Sequence, residues 1–225
     1  MIGVLIKFTL IVVLFLGPAI AHASEPQREF EPATWSEGAH LLAGLGLNSS
    51  LFTSDSERRD LGIGAYLKTD LDYFFSSSFA VEFSSGIEFN KVDAFLLWNT
   101  QVTLGIRYRI PRDPLFHTRS SYVRAFFGRS PTVIFLNGNA PPEYAALGIE
   151  RLHFDGPVGG ASIGMFRQTP GNRVWFYEFS FTVQRLEQEN AVRMQGEVPI
   201  VLIQNNTTDQ STIYGLNFAA GTIFF

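Results

Sequence analysis

The chain has 225 residues and lacks cysteine altogether. This absence excludes disulfide bonds, thiolate-ligated metals and a lipid anchor on an N-terminal cysteine. Basic residues are also few, since 17 Lys and Arg stand against 21 Asp and Glu and give a formal net charge of −4 at pH 7. Nucleic-acid-binding domains usually carry a basic excess. The sequence therefore argues against nucleic acid as a partner, and no residue pattern in it predicts a metal or a cofactor.

Long hydrophobic runs are missing as well, apart from one at the N-terminus. Phe8–Leu16 is apolar apart from Thr9, follows the single charge of Lys7 and ends at Gly17–Pro18. It is too short for a transmembrane helix, which needs about 20 apolar residues. Ala21–His22–Ala23 then supplies the small-x-small pattern of a signal peptidase site. Residues 1–23 are therefore predicted to be a signal peptide that exports the mature chain.

What the sequence does contain is an alternation of apolar and polar residues with a period of two. In residues 79–90 the odd positions are mostly large and apolar, whereas the even positions are polar or small. Neighbouring side chains of a strand point to opposite faces, so this pattern predicts a strand with one apolar and one polar face. The same alternation recurs along the chain. It predicts strands at Gly38–Leu47, Leu61–Tyr73, Phe79–Asn90, Phe95–Ile110, Ser121–Gly128, Val158–Gln168, Val174–Gln184 and Ser211–Phe225.

Two observations favour a transmembrane barrel over a soluble β-sandwich. The chain contains 22 Phe, 7 Tyr and 3 Trp, an aromatic content that suits a wall facing acyl chains. Large aromatic residues also recur ten positions apart on the apolar parity, at Phe79 and Phe89 and at Trp98 and Tyr108. In a strand tilted by ~40°, ten residues climb about 25 Å, the height of the apolar band between two aromatic girdles. These four residues and Trp175 are the predicted girdle positions.

The connections between the predicted strands alternate in length. Outer-membrane barrels combine short periplasmic turns with longer extracellular loops, and an even strand number places both termini in the periplasm. Residues 24–36 are then a periplasmic extension and residues 37–225 the barrel domain. Eight strands are expected, or ten if 144–154 and 185–210 also cross the membrane; alternatively, 185–210 holds an extra hairpin above it. The predicted turns are 74–78, 111–120 and 169–173, and the predicted loops are 48–60, 91–94, 129–157 and 185–210, of which 91–94 is short for a loop.

The combination of a signal peptide, strands of period two and a C-terminal aromatic residue, Phe225, resembles the small outer-membrane β-barrel proteins of Gram-negative bacteria. The resemblance is to this architectural class and covers residues 38–225. It implies an all-β, transmembrane antiparallel β-barrel in the bacterial outer membrane, with Phe225 as part of the signal read by the barrel-assembly machinery. The last strand departs from the pattern, because Phe224 and not Phe225 shares the parity of the apolar residues. No functional residue of a particular family follows from the resemblance.

The polar faces of the predicted strands carry opposite charges at similar depth in the lumen. An eight-stranded barrel has an interior that side chains just fill, and buried charges must be paired. We therefore expect an ion network that plugs the lumen; the alternative is a polar constriction in a narrow channel. The predicted network consists of Lys68, Asp70, Asp72, Glu82, Arg107, Arg109, Arg124 and Glu178.

Two prolines and two glycines predict a weak point in the wall. Pro131 follows the fifth strand and Pro157 precedes the sixth, and neither can donate a hydrogen bond to the ladder. Gly159 and Gly160 lie beside them in the sequence. A lateral gap between the fifth and sixth strands would admit a lipid or a small apolar molecule from the outer leaflet. The alternative is that both prolines simply end strands at a long loop.

Three functions stay open at this point. The first is a structural, adhesive or surface-interaction role, with outer-membrane lipid and lipopolysaccharide around the barrel and a surface protein as partner. The second is a conduit for small hydrophobic molecules through the lateral gap. The third is a lipid A-modifying acyl hydrolase or transferase, because His153 and Asp155 with a serine of the first loop are the residue types of a catalytic triad; the serines are Ser49, Ser50, Ser54 and Ser56. Such residues are common in loops for solvation and turn formation, so the first role is favoured.

Overall fold

A computed structural model describes residues 38–53, 58–92, 95–110, 119–136, 145–169, 173–195, 198–205 and 211–224. The predicted signal peptide, the periplasmic extension at 24–36 and Phe225 lie outside these ranges. Within them, no helix is both long and apolar enough to cross a membrane. The strands are β1 Gly38–Thr53, β2 Arg58–Phe74, β3 Phe79–Val92, β4 Phe95–Arg109, β5 Arg119–Arg129, β6 Thr132–Phe135, β7 Arg151–Asp155, β8 Pro157–Gln168, β9 Val174–Leu186, β10 Gln188–Gln195, β11 Val198–Asn205 and β12 Ser211–Phe224.

Eight of these strands close into a ring. Each pairs antiparallel with the next in the order β1, β2, β3, β4, β5, β8, β9, β12. The ring closes because β12 also pairs with β1, from Leu41 opposite Phe224 to Thr53 opposite Thr212. The predicted all-β, eight-stranded antiparallel barrel is thereby confirmed, and the ten-stranded alternative is wrong.

The other four strands extend the barrel wall at the end opposite to Gly38 and Phe224. β5 and β6 keep one register against β4, with Arg129 opposite Val102 and Phe135 opposite Leu96. β7 and β8 likewise keep one register, against the segment formed by β5 and β6. β10 pairs with β7 and with β11, so these strands form a continuation of the wall in the order β6, β7, β10, β11. We call these four strands the sheet extension. The predicted loops 129–157 and 185–210 therefore contain paired strands, and the hairpin expected in the second of them is present.

The two faces of the ring differ in the way that a membrane barrel requires. Outward side chains are large, apolar and exposed, as at Leu45 (70 %), Leu104 (68 %) and Phe127 (67 %), whereas inward positions are mostly polar and buried. A soluble monomer rarely exposes an apolar surface of more than a few hundred Å². The outward face is therefore the lipid-facing surface, and the polar side chains fill the lumen.

The aromatic residues ten positions apart meet in pairs across β3 and β4. Phe89 lies opposite Trp98, with ring centroids 5.3 Å apart, and Phe79 lies opposite Tyr108, with centroids 4.8 Å apart. Each pair stands at one end of the apolar band. This arrangement places two aromatic levels on the lipid-facing surface.

Candidate functional site

Arg107 lies at the centre of an ion cluster inside the barrel. Its side chain is fully buried, and its guanidinium donates to Asp72, to Asp70 Oδ2 at 2.9 Å and to Glu82 Oε2 at 2.6 Å. The three carboxylates are close enough to act as metal ligands, with oxygen atoms within 4.8 Å of one another. The guanidinium already occupies the position between them. A fixed cation of the chain thus neutralises this group of acids.

Glu178 is the second centre of the cluster. Its carboxylate is ion-paired with Lys68 and accepts hydrogen bonds from Arg124 Nη1 at 3.1 Å, Tyr122 Oη at 2.8 Å and Ser180 Oγ at 3.0 Å. All of these groups are buried. A carboxylate with two cations and two hydroxyl donors is well compensated for the loss of water. Glu178 therefore acts as a shared acceptor for side chains from several strands.

The two centres are connected into one network. Lys68 lies 2.9 Å from Asp70, and Arg124 is ion-paired with Glu82 as well as with Glu178. The contributing strands are β2, β3, β4, β5 and β9, which surround the lumen. Removing one partner of such a buried pair usually costs about 3–5 kcal/mol, because the other charge stays buried. The network therefore ties opposite parts of the wall together through the interior.

Aromatic side chains pack against two of the buried cations. The guanidinium carbon of Arg107 lies 4.7 Å from the ring centroid of Tyr122, and that of Arg124 lies 4.1 Å from the ring centroid of Phe126. Gly164 makes room for Tyr122, since a Cβ at this position would lie 2.2 Å from the tyrosine ring. The lumen is filled here by a cluster of Leu42, Tyr66, Tyr122, Phe166, Val174, Phe176, Ala219 and Ile223.

A second polar layer surrounds Glu88. A search of the sequence for opposite charges does not predict this layer, because the partners of Glu88 are neutral amides. Its Oε1 accepts hydrogen bonds from Gln101 and from Asn217, both at 2.8 Å, and its Oε2 accepts one from Asn99 at 3.0 Å. Three amides thus hold the buried carboxyl group. The signal available in the sequence was parity alone, because Glu88, Asn99 and Gln101 all lie on the inward face of their strands.

Towards the sheet extension, one more set of polar contacts is followed by an apolar region of the lumen. In the polar set, Asn99 Oδ1 accepts hydrogen bonds from Ser130 at 2.5 Å and from Thr132 at 2.9 Å, and Gln184 donates to Thr132 at 2.8 Å. Above this layer lies an apolar cluster. It contains Leu61, Leu97, Leu186 and Ile213, with Phe52, Ile134 and Phe154 packed against them.

Arg109 is the one member of the predicted ion network that the structure places elsewhere. Its guanidinium carbon lies 6.0 Å from the ring centroid of Phe74, at the end of the barrel that carries the short turns. The other seven predicted residues lie in the connected cluster around Arg107 and Glu178.

The structure shows no lateral gap at the two prolines. β5 and β8 are paired without interruption up to Arg129 and Pro157, and Gly159 and Gly160 lie within this ladder. Beyond it, Ser130 N donates to Gly156 O at 2.9 Å. The reason is the direction in which the prolines face. Pro131 O accepts from Thr100 N at 2.9 Å, so Pro131 faces β4. Pro157 follows Gly156, which faces β5, and therefore points its ring nitrogen towards β9.

The residues considered for a catalytic triad are not linked in the structure. Asp155 accepts from Arg129 Nη2 at 2.8 Å, and His153 lies two residues away on β7. Ser49 and Ser50 lie on β1, whose partners are β2 and β12, and Ser54 and Ser56 lie outside the described residues. Burial and, to a lesser extent, the nearby charge of Arg151 lower the pKa of His153. The hydrogen bonds of the described residues form no Ser–His–acid relay.

No protein-family model matches the chain, and no curated protein matches it. Among solved structures it is similar to Ail, the attachment invasion locus protein of Yersinia pestis, with 13% identity and a TM-score of 0.49 over 84% of this chain and 100% of that one. Neisserial surface protein A has 11% identity and a TM-score of 0.49 over 83% and 98% of the two chains.

A third similar structure is the outer membrane protein OprG of Pseudomonas aeruginosa, with 13% identity and a TM-score of 0.41 over 84% of this chain and 96% of that one. These identities and TM-scores are low. The architecture therefore rests on the closed ring and the apolar outer face of the chain itself. Together these features make it a transmembrane β-barrel of eight strands.

Proposed function

We propose that this outer-membrane barrel is a surface-interaction protein that binds a partner through the free edge of its sheet extension. A barrel has no unpaired strand edge inside the hydrocarbon region. The sheet extension differs, because β11 stands at the end of the strand order and pairs within the described chain only with β10. This single edge is the observation that carries the proposal.

The composition of β11 supports a role in binding. Val198–Asn205 contains no charged residue, and Ile200–Ile203 is entirely apolar. Edge strands of soluble proteins are normally protected by charges, bulges or short length, because their free N–H and C=O groups recruit other strands. Val198–Asn205 has eight residues and one proline, Pro199. An extended segment of another protein that pairs with this edge is recognised through main-chain hydrogen bonds and alternate side chains.

The filled lumen argues against a conduit as the main role. Two apolar clusters close the interior above and below the polar layers. Between them, Arg107, Lys68 and Glu178 are fully buried or nearly so. A path for solutes would require the ion network to separate, at a cost of several kcal/mol. The barrel is thus best suited to anchoring the sheet extension at the outer surface after export by the predicted signal peptide.

Proline substitution on β11 tests the proposal. Successive N–H groups of a strand point to opposite edges, so Ile200→Pro and Val201→Pro remove donors from different sides of β11. One of the two variants is expected to keep the β10–β11 ladder, seen as unchanged hydrogen exchange in β10, and to lose binding. Binding is measured with the folded barrel in detergent on an array of uncharged eight-residue peptides.

The proposal predicts that the parent protein retains peptides with alternating apolar residues, and that added salt changes this little. Heat-modifiable migration in gels verifies that each variant is folded. If both proline variants bind the same peptides as the parent, the free edge of β11 is not the binding site.

A further inference from the structure

Two arginines lie directly opposite each other on the outer wall. Arg119 on β5 and Arg167 on β8 are register partners. Side chains in this relationship have Cβ atoms about 5 Å apart, and like charges placed so destabilise a sheet. A repulsive pair at this position calls for an anion close to both guanidinium groups.

The two arginines face the lipid at the lower limit of the apolar band. Both occupy the outward parity of their strands, which Val123 (42 % exposed) and Ile163 (65 % exposed) share. Arg167 also lies opposite Trp175, a residue of the predicted aromatic girdle. The pair therefore lies where acyl chains give way to headgroups.

A third arginine lies close by. Arg173 is exposed and accepts through its carbonyl oxygen from Thr169 N at 2.9 Å, which closes the turn between β8 and β9. It precedes Trp175 by two residues and shares its outward parity. Three arginines thus lie on the neighbouring strands β5 and β8 and at the start of β9, at one part of the membrane boundary.

No acidic side chain balances this group within the described part of the chain. The outward positions of β5, β8 and β9 include no Asp or Glu, and none of the ion pairs there involves Arg119, Arg167 or Arg173. Arg129, at the other end of β5, shows the contrast, because it pairs with Asp155. Among the described residues, no carboxylate therefore neutralises the charge of this group.

The location specifies which membrane leaflet supplies that anion. Arg119 and Arg167 lie at the end of the barrel where β1 begins and β12 ends, and where the short turns are found. Short turns and both termini mark the periplasmic side of an outer-membrane barrel. The neighbouring headgroups are then those of the periplasmic leaflet, and lipopolysaccharide in the outer leaflet is on the other side.

We propose that Arg119, Arg167 and Arg173 bind the phosphate of an anionic glycerophospholipid in the periplasmic leaflet. Guanidinium groups bind phosphate oxygens through paired N–H donors, which suits two arginines that face one phosphodiester. The acyl chains of the lipid lie against the apolar outward side chains of β5 and β8. The site holds this lipid at a fixed place on the wall and removes the repulsion between the two strands.

Fluorescence of Trp175 tests the proposal, because this residue adjoins the site. The double substitution Trp35→Phe and Trp98→Phe leaves Trp175 as the only tryptophan of the chain. The folded protein is placed in phosphatidylcholine bilayers that contain a few per cent of chain-brominated phosphatidylglycerol or, separately, chain-brominated phosphatidylcholine. Quenching by the brominated phosphatidylglycerol is expected to correspond to local enrichment by about fivefold or more, which one additional charge-assisted hydrogen bond to the phosphate suffices to produce.

Charge-matched variants separate a site from general attraction. Arg119→Gln with Arg167→Gln removes the facing pair of guanidinium groups and is expected to abolish most of the preference for phosphatidylglycerol, leaving only what Arg173 supports. Arg129→Gln with Arg185→Gln removes the same charge from the opposite end and is expected to leave the preference unchanged. Arg119→Lys with Arg167→Lys keeps the charge but loses the paired donors, and is expected to lose most of the preference.

Two results would overturn the proposal. One is equal quenching of the parent by the two lipids, and the other is an undiminished preference for phosphatidylglycerol after both Gln substitutions. Gel migration verifies that each variant is folded. Should the Gln variant not fold, native mass spectrometry of the parent decides. The proposal requires that phosphatidylglycerol stays bound after release from the detergent more often than phosphatidylcholine offered at the same concentration.

Discussion

Lys68 on β2 and Glu178 on β9 form an ion pair through the lumen, although β1 and β12 separate their strands along the wall. Both side chains are completely buried. Glu178 is at the same time hydrogen-bonded to Tyr122 from β5. One carboxylate therefore links three strands that are not all neighbours in the sheet, and the stability of the barrel depends on it.

Replacing Glu178 with Ala is expected to lower the free energy of unfolding by about 3–5 kcal/mol, because Lys68 and Arg124 stay buried without their common partner. Urea unfolding of the barrel in lipid vesicles, followed by tryptophan fluorescence, measures the effect. Glu187→Ala is the control, since its pair with Arg185 is exposed and 3.9 Å long, and its loss should change stability by less than about 1 kcal/mol. Similar losses for the two variants would show that the buried network contributes nothing special.

The lumen is expected to be closed to ions. In planar bilayers the parent protein should therefore give no steady conductance, whereas Arg107→Ala leaves Asp70, Asp72 and Glu82 without the guanidinium between them. This variant, once shown to be folded, should give cation-selective openings because three carboxylates then line the gap. Steady conductance of the unaltered protein would contradict the plugged lumen.

Two glycines on β8 are expected to respond oppositely to alanine. Gly164→Ala places a Cβ 2.2 Å from the Tyr122 ring, which must move away from Glu178, so a loss of about 1–3 kcal/mol is expected. At Gly159 a Cβ would meet nothing closer than 3.6 Å, and alanine there should be neutral or slightly stabilising. The comparison of the two urea midpoints checks this. Equal effects would mean that the close contact between Gly164 and Tyr122 is not present in solution.

The sheet extension is expected to weaken in mild acid. Burial and Arg151 lower the pKa of His153 from its ordinary value of 6.5 in the folded protein. The imidazole of His153 is then protonated more readily in the unfolded segment than in the folded one. The free energy of unfolding of the segment therefore falls as the pH drops below about 6.5. Hydrogen exchange of the β7 amides at pH 7 and pH 5.5 measures this after correction for intrinsic rates. His153→Gln should remove the difference; if it persists there, another group is responsible.

The sequence was sufficient for the barrel because parity decides which side chains enter the lumen. Lys68, Asp70 and Asp72 share one parity on β2, so their inward position followed from alternation alone. Depth was harder to judge. Arg109 has the same inward parity as Arg107 but lies two residues further along β4. Its guanidinium therefore lies beyond the ion cluster, beside the ring of Phe74. Glu88 was missed because its partners are amides, which a search for opposite charges ignores.

The sheet extension was underestimated for a local reason. Proline and glycine often interrupt or end strands, so the segments beyond Pro131 and Gly156 are predicted as loop from the sequence. In the structure the register simply continues across both positions, because Pro131 still accepts from Thr100 through its carbonyl oxygen and Gly156 from Ser130. Only pairing partners far away in the chain reveal this continuation, and single-sequence patterns do not contain that information.

The pairing of β12 with β1 has a consequence for biogenesis. β12, the last described strand, pairs with β1, the first, over thirteen matched positions from Leu41–Phe224 to Thr53–Thr212, and the ring closes only when this ladder forms. Until then, two rows of peptide groups have no partner, and hydrocarbon does not tolerate such edges. Without β12 both of these edges would stay open, so that in this protein the closing of β12 on β1 is the step on which residence in the bilayer depends.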